Sequence, residues 1–278
     1  MAELSFFGTV RLAILIAVLI FVALGAWLDR RRSTDWDGTL RVTVYPIAFD
    51  TDSATTRFVA GLDRDSFAEV TDFIADEGAR HGVGIDEPVS IRVAHAVGET
   101  PPAAPTDPGP VSVALWSLRL RYWAWRVAAN DPLPPPDVQV FALYHTPDGG
   151  QVAPDSMGLQ KGLVAVTHVF SGPDAAGSNQ VVLTHEFLHT LGATDKYDLR
   201  TGQPLAPIGL GDPAQDPLYP QDTGEIMAGR IAISARDAVG SEPAGAMILL
   251  GSASLVSGSR PDVESLYPNA PQNYRAGW

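Results

Sequence analysis

Residues 179–197 read NQVVLTHEFLHTLGATDKY, and the fold is best interpreted outward from this stretch. Its apolar residues recur at helical spacing, which predicts a helix with one side packed on a core. They are Val181, Leu183, Phe187, Leu188 and Leu191. Gly192 follows them, and a glycine in the left-handed conformation can end a helix and turn the chain sharply back. The stretch therefore predicts a helix, a tight turn and a returning segment.

Two histidines on the predicted helix have the spacing of metal ligands. His185 and His189 are four residues apart, so both imidazoles project from one face and can reach a single cation at about 2.0–2.1 Å. After the turn, Asp195 returns toward the same point and can donate a third ligand. Three protein ligands leave one coordination position open, as catalytic zinc requires. The spacing predicts a site for one Zn²⁺.

Glu186 stands beside the first of these histidines. Its carboxylate can face a water molecule on the metal without being a ligand, which predicts a catalytic base. The whole motif reads HExxHxxGxxD. In a chain of this composition the HExxH part alone has only about 0.004 expected chance matches.

Other assignments of these residues stay open. Asp195 could be a loop residue at the helix end, with Asp198 or Glu225 as the third ligand. A calcium site is disfavoured, because Ca²⁺ takes about six to eight oxygen ligands and two imidazoles fit it poorly. The remaining histidines lack ligand spacing to one another and are predicted to be surface or packing residues: His81, His95, His145 and His168.

Alternating and helical apolar patterns precede the motif. Strands are predicted over 40–44, 89–93, 138–144 and 163–170, and helices over 66–78 and 111–130. The long first connections favour parallel neighbours, and the short connection before 163–170 allows an antiparallel edge strand there. The predicted fold class is α/β (α+β), a mixed, mostly parallel twisted sheet with an antiparallel edge strand, covered by helices.

The second predicted helix, over 111–130, is rich in aromatic and basic residues. It carries Trp116, Tyr122, Trp123 and Trp125 with Arg119, Arg121 and Arg126 among them. Aromatic residues of a helix packed on a sheet are the favoured interpretation of this pattern, ahead of contact with nucleic acid or with a membrane.

The extended motif resembles the metzincin zinc peptidases, and its final Asp resembles the snapalysin-type variant, in which Asp replaces the third His. The resemblance covers about residues 163–230. It implies a metzincin-like fold and a supporting Met-turn at Met227, for which a plain core methionine is the alternative. Tyr197 would either be a transition-state donor or pack, and packing is slightly favoured. The resemblance also implies an endopeptidase that hydrolyses peptide bonds with a zinc-bound water activated by Glu186. An extended peptide or protein substrate would lie along the edge strand near 163–170. The alternative is a catalytically inactive zinc-binding scaffold on a membrane anchor.

An uncharged apolar run covers residues 12–28. At 1.5 Å per residue it is about 25 Å long, which predicts a single-pass membrane span over 10–28. A cleaved signal peptide is the alternative. The predicted organisation is an N-terminal tail (1–9), the transmembrane helix (10–28), a juxtamembrane linker (29–39), a metallopeptidase-like domain (40–257) and a C-terminal tail (258–278). The side of the membrane that holds the domain stays open.

Composition excludes several other classes of protein. The 19 Lys and Arg against 32 Asp and Glu give a net charge of −13, which argues against nucleic acid as a partner. The chain has no cysteine, so disulfides, thiolate zinc ligands and a cysteine nucleophile are all excluded. With 45% apolar residues, the chain can form a sizeable core.

Overall fold

A computed structural model describes residues 36–249, apart from 51, 108, 148–155, 160–162 and 241–246, together with residues 11, 12, 16 and 24. The predicted transmembrane helix (10–28) lies almost wholly outside the described residues, as do the N-terminal tail (1–9) and the C-terminal tail (258–278). Among the described residues, no helix is both long and apolar enough to cross a bilayer.

The alternating apolar residues form a five-stranded sheet in the order β2-β1-β3-β5-β4. The strands are β1 (Leu40–Ala48), β2 (Val89–Val93), β3 (Val138–His145), β4 (Met157–Leu159) and β5 (Val164–Phe170). Four of them run parallel, with Val42 of β1 opposite Ile91 of β2 and Val138 of β3, and β4 is antiparallel to β5. The predicted mixed, mostly parallel sheet is therefore confirmed.

Within residues 36–249 as described, four helices surround this sheet, and their placement follows from the right-handedness of the crossover connections. They are α1 (Ser53–Ala60), α2 (Ala68–Arg80), α3 (Pro110–Asn130) and α4 (Ala176–Leu191). The β1–β2 and β2–β3 crossovers run in opposite directions along the sheet, so right-handed connections place α2 and α3 on opposite faces. Accordingly, α2 and α4 share one hydrophobic core with the sheet, and α3 packs in a second core on the other face.

The chain after α4 forms short, irregular elements beside the main sheet. Strand β6 (Thr223–Glu225) pairs in parallel with β9 (Met247–Leu249), and β7 (Arg230–Ala232) pairs antiparallel with β8 (Ala238–Gly240). A 3-10 turn, Ile226–Ala228, links β6 to β7 and is fully buried. This turn lies against α4, where the Ile226 carbonyl oxygen is 3.0 Å from His185 Nδ1.

The prediction that 163–170 forms the edge of the sheet is wrong. Strand β5 lies between β3 and β4 and is parallel to β3, so the antiparallel edge strand is β4. Two parallel neighbours cannot be joined by a tight turn, and the chain between β3 and β5 contains β4 as the returning segment. A three-residue strand has too few residues to show an alternating pattern.

The interpretation of the aromatic residues of α3 is wrong in part. Trp123 is 6% exposed and packs on Phe141 of the sheet, with ring centroids 4.5 Å apart. Tyr122 and Trp125 face away from the sheet and are 65% and 62% exposed. Helix α3 is therefore apolar on two opposite sides, and only one of them contacts the core.

Candidate metal centre

Helix α4 presents the two histidines toward one point. The helix is fixed to the sheet through Asn179, whose side chain accepts a hydrogen bond from the Phe170 backbone N–H and donates one to the Phe170 carbonyl. One turn apart on its far half, the rings of His185 and His189 are nearly perpendicular, with centroids 4.6 Å apart. Gly192 ends the helix with φ 103° and ψ 8°, which confirms the predicted left-handed glycine.

The segment after Gly192 brings a carboxylate to the histidines. Asp195 Oδ1 lies 3.2 Å from His185 Nε2 and 3.2 Å from His189 Nε2. Two ligands on one tetrahedral zinc ion, at bond lengths of about 2.0–2.1 Å, are about 3.4 Å apart. The three residues thus form a group whose spacing could hold a metal ion. The alternative ligands are placed elsewhere, as described below.

The hydrogen bonds of the imidazoles direct their lone pairs to the centre of this group. His185 Nδ1 lies 3.0 Å from the Ile226 carbonyl oxygen, and His189 Nδ1 lies 2.8 Å from the Ala193 carbonyl oxygen. A carbonyl oxygen can only accept, so each Nδ1 carries the proton. Each neutral ring therefore has its lone pair on Nε2. Backbone carbonyls that orient imidazoles in this way are typical partners of metal-ligating histidines.

The acceptor atoms at the centre of the group have no hydrogen-bond donor between them. Asp195 Oδ1 is buried and has no well-directed hydrogen bond, although both Nε2 atoms are near it. Three acceptor atoms that converge without a donor repel one another unless a proton or a cation lies between them. The residues present therefore fit a divalent metal ion. Their donor set of two imidazoles and one carboxylate suits zinc and its transition-metal neighbours better than calcium or magnesium.

The electrostatics of the group indicate the same demand for positive charge. Burial would raise the pKa of Asp195, but without a metal ion, hydrogen bonds and positive charge from protonated imidazoles at His185 and His189 hold it well below its usual value. Burial would lower the pKa of His189, yet its contacts with Asp195 and Ala193 raise it. A cation that binds at the centre would replace protons that these contacts otherwise favour.

Glu186 lies beside the group as a buried acid. The residue is 7% exposed, and its Oε2 atom is buried without a hydrogen-bond partner in the described part of the chain. Burial raises the pKa of Glu186, and this effect outweighs the opposite influence of His185 and His189. A buried carboxyl group next to a candidate metal site is suited to take up and release a proton.

Sequence reasoning missed a buried ion pair that supports the segment carrying Asp195. Lys196 Nζ lies 3.1 Å from Glu225 Oε1, and the side chains are only 7% and 0% exposed. The Lys196 backbone N–H also donates to the Met227 carbonyl, and Glu225 Oε2 accepts from the Ala228 N–H. The segment that holds Asp195 is thereby joined to the 3-10 turn whose Ile226 carbonyl orients His185.

The other predicted site residues lie outside the metal-ligand group and make other contacts. Glu225 is occupied by Lys196, and Asp198 Oδ1 accepts from the N–H groups of Arg200 and Thr201, each at 2.9 Å. Neither belongs to the metal-ligand group. Met227 is 1% exposed in the 3-10 turn, and Tyr197 is half-buried and forms a β-bridge with Pro204.

Two of the remaining histidines meet in the fold. His145 Nε2 and His168 Nδ1 are 2.8 Å apart, and Phe49 packs on the His145 ring. Each histidine is two residues after a member of the core under α3, Leu143 on β3 and Val166 on β5. Residues two apart on a strand share a face, so both histidines lie on the face of the sheet that carries α3. Their spacing of 23 residues has no meaning until β3 and β5 are known to pair.

Replacing Gly192 with Ala should destabilise the protein and weaken metal binding together. An alanine at φ 103° adopts backbone geometry that L-residues avoid, at a cost of about 1–2 kcal/mol. Gly38→Ala is the matched control, because a Cβ atom there meets nothing within 4 Å. Urea unfolding and zinc titration measure the two effects, and equal behaviour of the two variants would contradict this role of Gly192.

No protein-family model matches this chain, and no curated protein matches it in sequence.

Proposed function

We propose that this chain is a membrane-anchored, zinc-dependent endopeptidase. The observation that supports the proposal most directly is the convergence of three acceptor atoms from His185, His189 and Asp195, with the buried Glu186 carboxyl beside them. A structural zinc site needs no buried base, because its four ligands close the coordination sphere. Three protein ligands and an adjacent acid instead suit hydrolysis.

The residues would divide the reaction as follows. Zinc, when bound, would supply Lewis acidity that lowers the pKa of a water molecule from 15.7 toward about 7. Glu186 would take the proton of the attacking water and later give it to the leaving amine. Each Nδ1 would keep its proton and donate it to a backbone carbonyl throughout, which would keep the imidazoles aligned.

The substrate would be an extended peptide beside β4. This strand forms the open edge of the described sheet and packs against α4, the helix that carries the histidines. An edge strand offers unpaired backbone groups to which an extended peptide can add as a further strand. The peptide would therefore lie at β4 rather than at β5.

A metzincin-type enzyme is the family that we propose for it. The HExxHxxGxxD motif, the left-handed Gly192 and a buried Met227 turn in contact with the segment after Asp195 support this assignment. Anchoring through residues 10–28 is proposed from the uncharged apolar run alone.

Asp195→Ala should remove zinc and cleavage together, whereas Asp198→Ala should change neither. Loss of a direct ligand should weaken zinc binding by more than the about 10–100-fold typical of an outer partner. Asp198 is a fair control, because it is also an aspartate after Gly192 but only caps a turn. The measurement is elemental zinc analysis of the full chain with an assay of casein or peptide-library cleavage. Wild-type protein that holds zinc without cleaving any peptide would instead indicate a scaffold.

A further inference from the structure

The outer side of α3 carries a continuous apolar stripe. It consists of Val111, Leu115, Leu118, Tyr122 and Trp125, which are 71%, 53%, 60%, 65% and 62% exposed. Their separations alternate between four and three residues, so at 100° per residue they lie within an arc of about 80°. The stripe is about 21 Å long. We call these five residues the α3 stripe.

The α3 stripe is separate from the side of the helix that packs on the sheet. Leu120, Trp123, Ala124 and Val127 form that buried side, about half a turn away around the helix. The stripe therefore contributes nothing to the core. A contiguous exposed apolar surface of this length is typical of an interaction site.

Arginines flank the α3 stripe on both sides. Arg119 and Arg126 lie about 60–80° to one side of its centre, and Arg121 lies about 80° to the other. Helix α3 contains no acidic residue, although the whole chain has a net charge of −13. Arg126 pairs with Glu99, and Arg121 bonds to Ser117, while Arg119 has no ion-pair partner among the described residues. The face is thus locally cationic on an acidic protein.

This combination fits the interfacial layer of a bilayer better than a second copy of the chain. Tyr and Trp rings favour the headgroup level of a membrane, and arginine stems can lie on apolar surface while the guanidinium reaches lipid phosphates. Pairing of two α3 stripes would place arginines against arginines, with no acidic residue on either helix to compensate.

The aromatic end of the α3 stripe lies where the domain begins. Seven residues separate the end of α3 at Asn130 from the start of β3. The last of them, Asp137, forms an ion pair with Arg41 at the start of β1. The C-terminal end of α3 and the start of β1 are therefore at the same end of the sheet. Residues 36–39 lead into β1 at that end, and a fully extended linker of the eleven residues 29–39 could span at most about 36–40 Å.

We propose that the α3 stripe binds the surface of a bilayer containing anionic lipid, with Tyr122 and Trp125 at headgroup depth. The inference rests on the membrane anchoring in the proposed function, but not on catalysis. The domain would then lie against the membrane with α3 inward. The metal centre would be on the opposite face of the sheet and accessible to substrate.

The absence of cysteine from the chain allows a direct test. Leu118→Cys places a single nitroxide label in the α3 stripe, and Ala68→Cys places one on α2, an exposed position on the other face. The full chain is reconstituted into phosphatidylcholine vesicles with about 30% phosphatidylglycerol, and label depth is measured by electron paramagnetic resonance. We expect membrane depth at position 118 and aqueous exposure at position 68.

The lipid charge and the arginines provide the second readout. In anionic vesicles, Arg119→Gln and Arg121→Gln should each lower, by about fivefold, the ratio of molecules with the α3 stripe on the membrane to molecules with the stripe in water. They should have little effect with phosphatidylcholine alone.

Aqueous exposure at position 118 in vesicle-bound protein would overturn the proposal, as would protein that fails to float with vesicles. Strong spin–spin broadening at position 118 would also overturn it, in favour of a second copy. None of these readouts depends on zinc or cleavage, so they are independent of whether the chain is a peptidase.

Discussion

Glu186→Gln should abolish peptide cleavage while leaving one zinc ion bound per chain. Glutamine has nearly the same shape as glutamate but cannot take a proton from water, so the loss is confined to the chemical step. General acid–base catalysis contributes about 10²–10⁴-fold to such reactions, so the turnover number should fall by at least about 100-fold. Glu186 is not a member of the ligand group, so the metal site should stay intact.

Two comparisons make this result specific. Glu69→Gln removes an exposed carboxylate from α2 and should leave turnover unchanged. Circular dichroism and zinc analysis of both variants show whether the fold and the metal are retained. Wild-type turnover in a zinc-loaded Glu186→Gln protein would contradict the proposed role of Glu186.

Breaking the Lys196–Glu225 pair should produce the largest loss of stability. Lys196→Met leaves a carboxylate at 0% exposure without its cation, and Glu225→Gln leaves a buried ammonium without its anion. Removing one partner of a buried pair typically costs about 3–5 kcal/mol, because the other charge stays desolvated. The Asp195 segment and the 226–228 turn would separate, so zinc affinity should fall as well.

A double-mutant cycle tests this coupling in urea unfolding experiments. The double variant Lys196→Met/Glu225→Gln should be more stable than the sum of the two single losses predicts, since no charge is then buried alone. Arg64→Gln is the surface control. Its pair with Glu87 is 2.9 Å long, against 3.1 Å for Lys196–Glu225, but the side chains are 66% and 53% exposed, so the expected change is below about 1 kcal/mol. Additive losses at Lys196 and Glu225 would show that the pair does not couple the two segments.

The features that could be predicted from the sequence are those encoded by neighbouring residues. Helical spacing and Gly192 predicted α4 and its end, and alternation predicted β1, β2 and β3. Local capping was less predictable. Ser66 and Glu69 have capping-box spacing, but Ser66 bonds to the Asp63 side chain, and Phe67 takes the position that starts α2. Asp52 does cap α1, a short helix whose apolar pattern is too brief to be recognised.

The features that were missed depend on residues far apart in the chain. Lys196 and Glu225 are 29 residues apart and meet only because β6 and the following turn pack against the segment after α4. His145 and His168 meet through the register of β3 with β5. Neither pairing has a periodic signal, so only the tertiary fold reveals them.

The carbonyl bonds of the two imidazoles have a consequence for how the protein matures. All three candidate ligand residues emerge from the ribosome within eleven positions, from His185 to Asp195, but the carbonyl that orients His185 belongs to Ile226. A nascent chain that stops short of Ile226 holds the three residues without the acceptor that orients His185. If the group binds a metal as proposed, capture of the ion would be a late event in biosynthesis, coupled to the folding of the segment that contains Ile226.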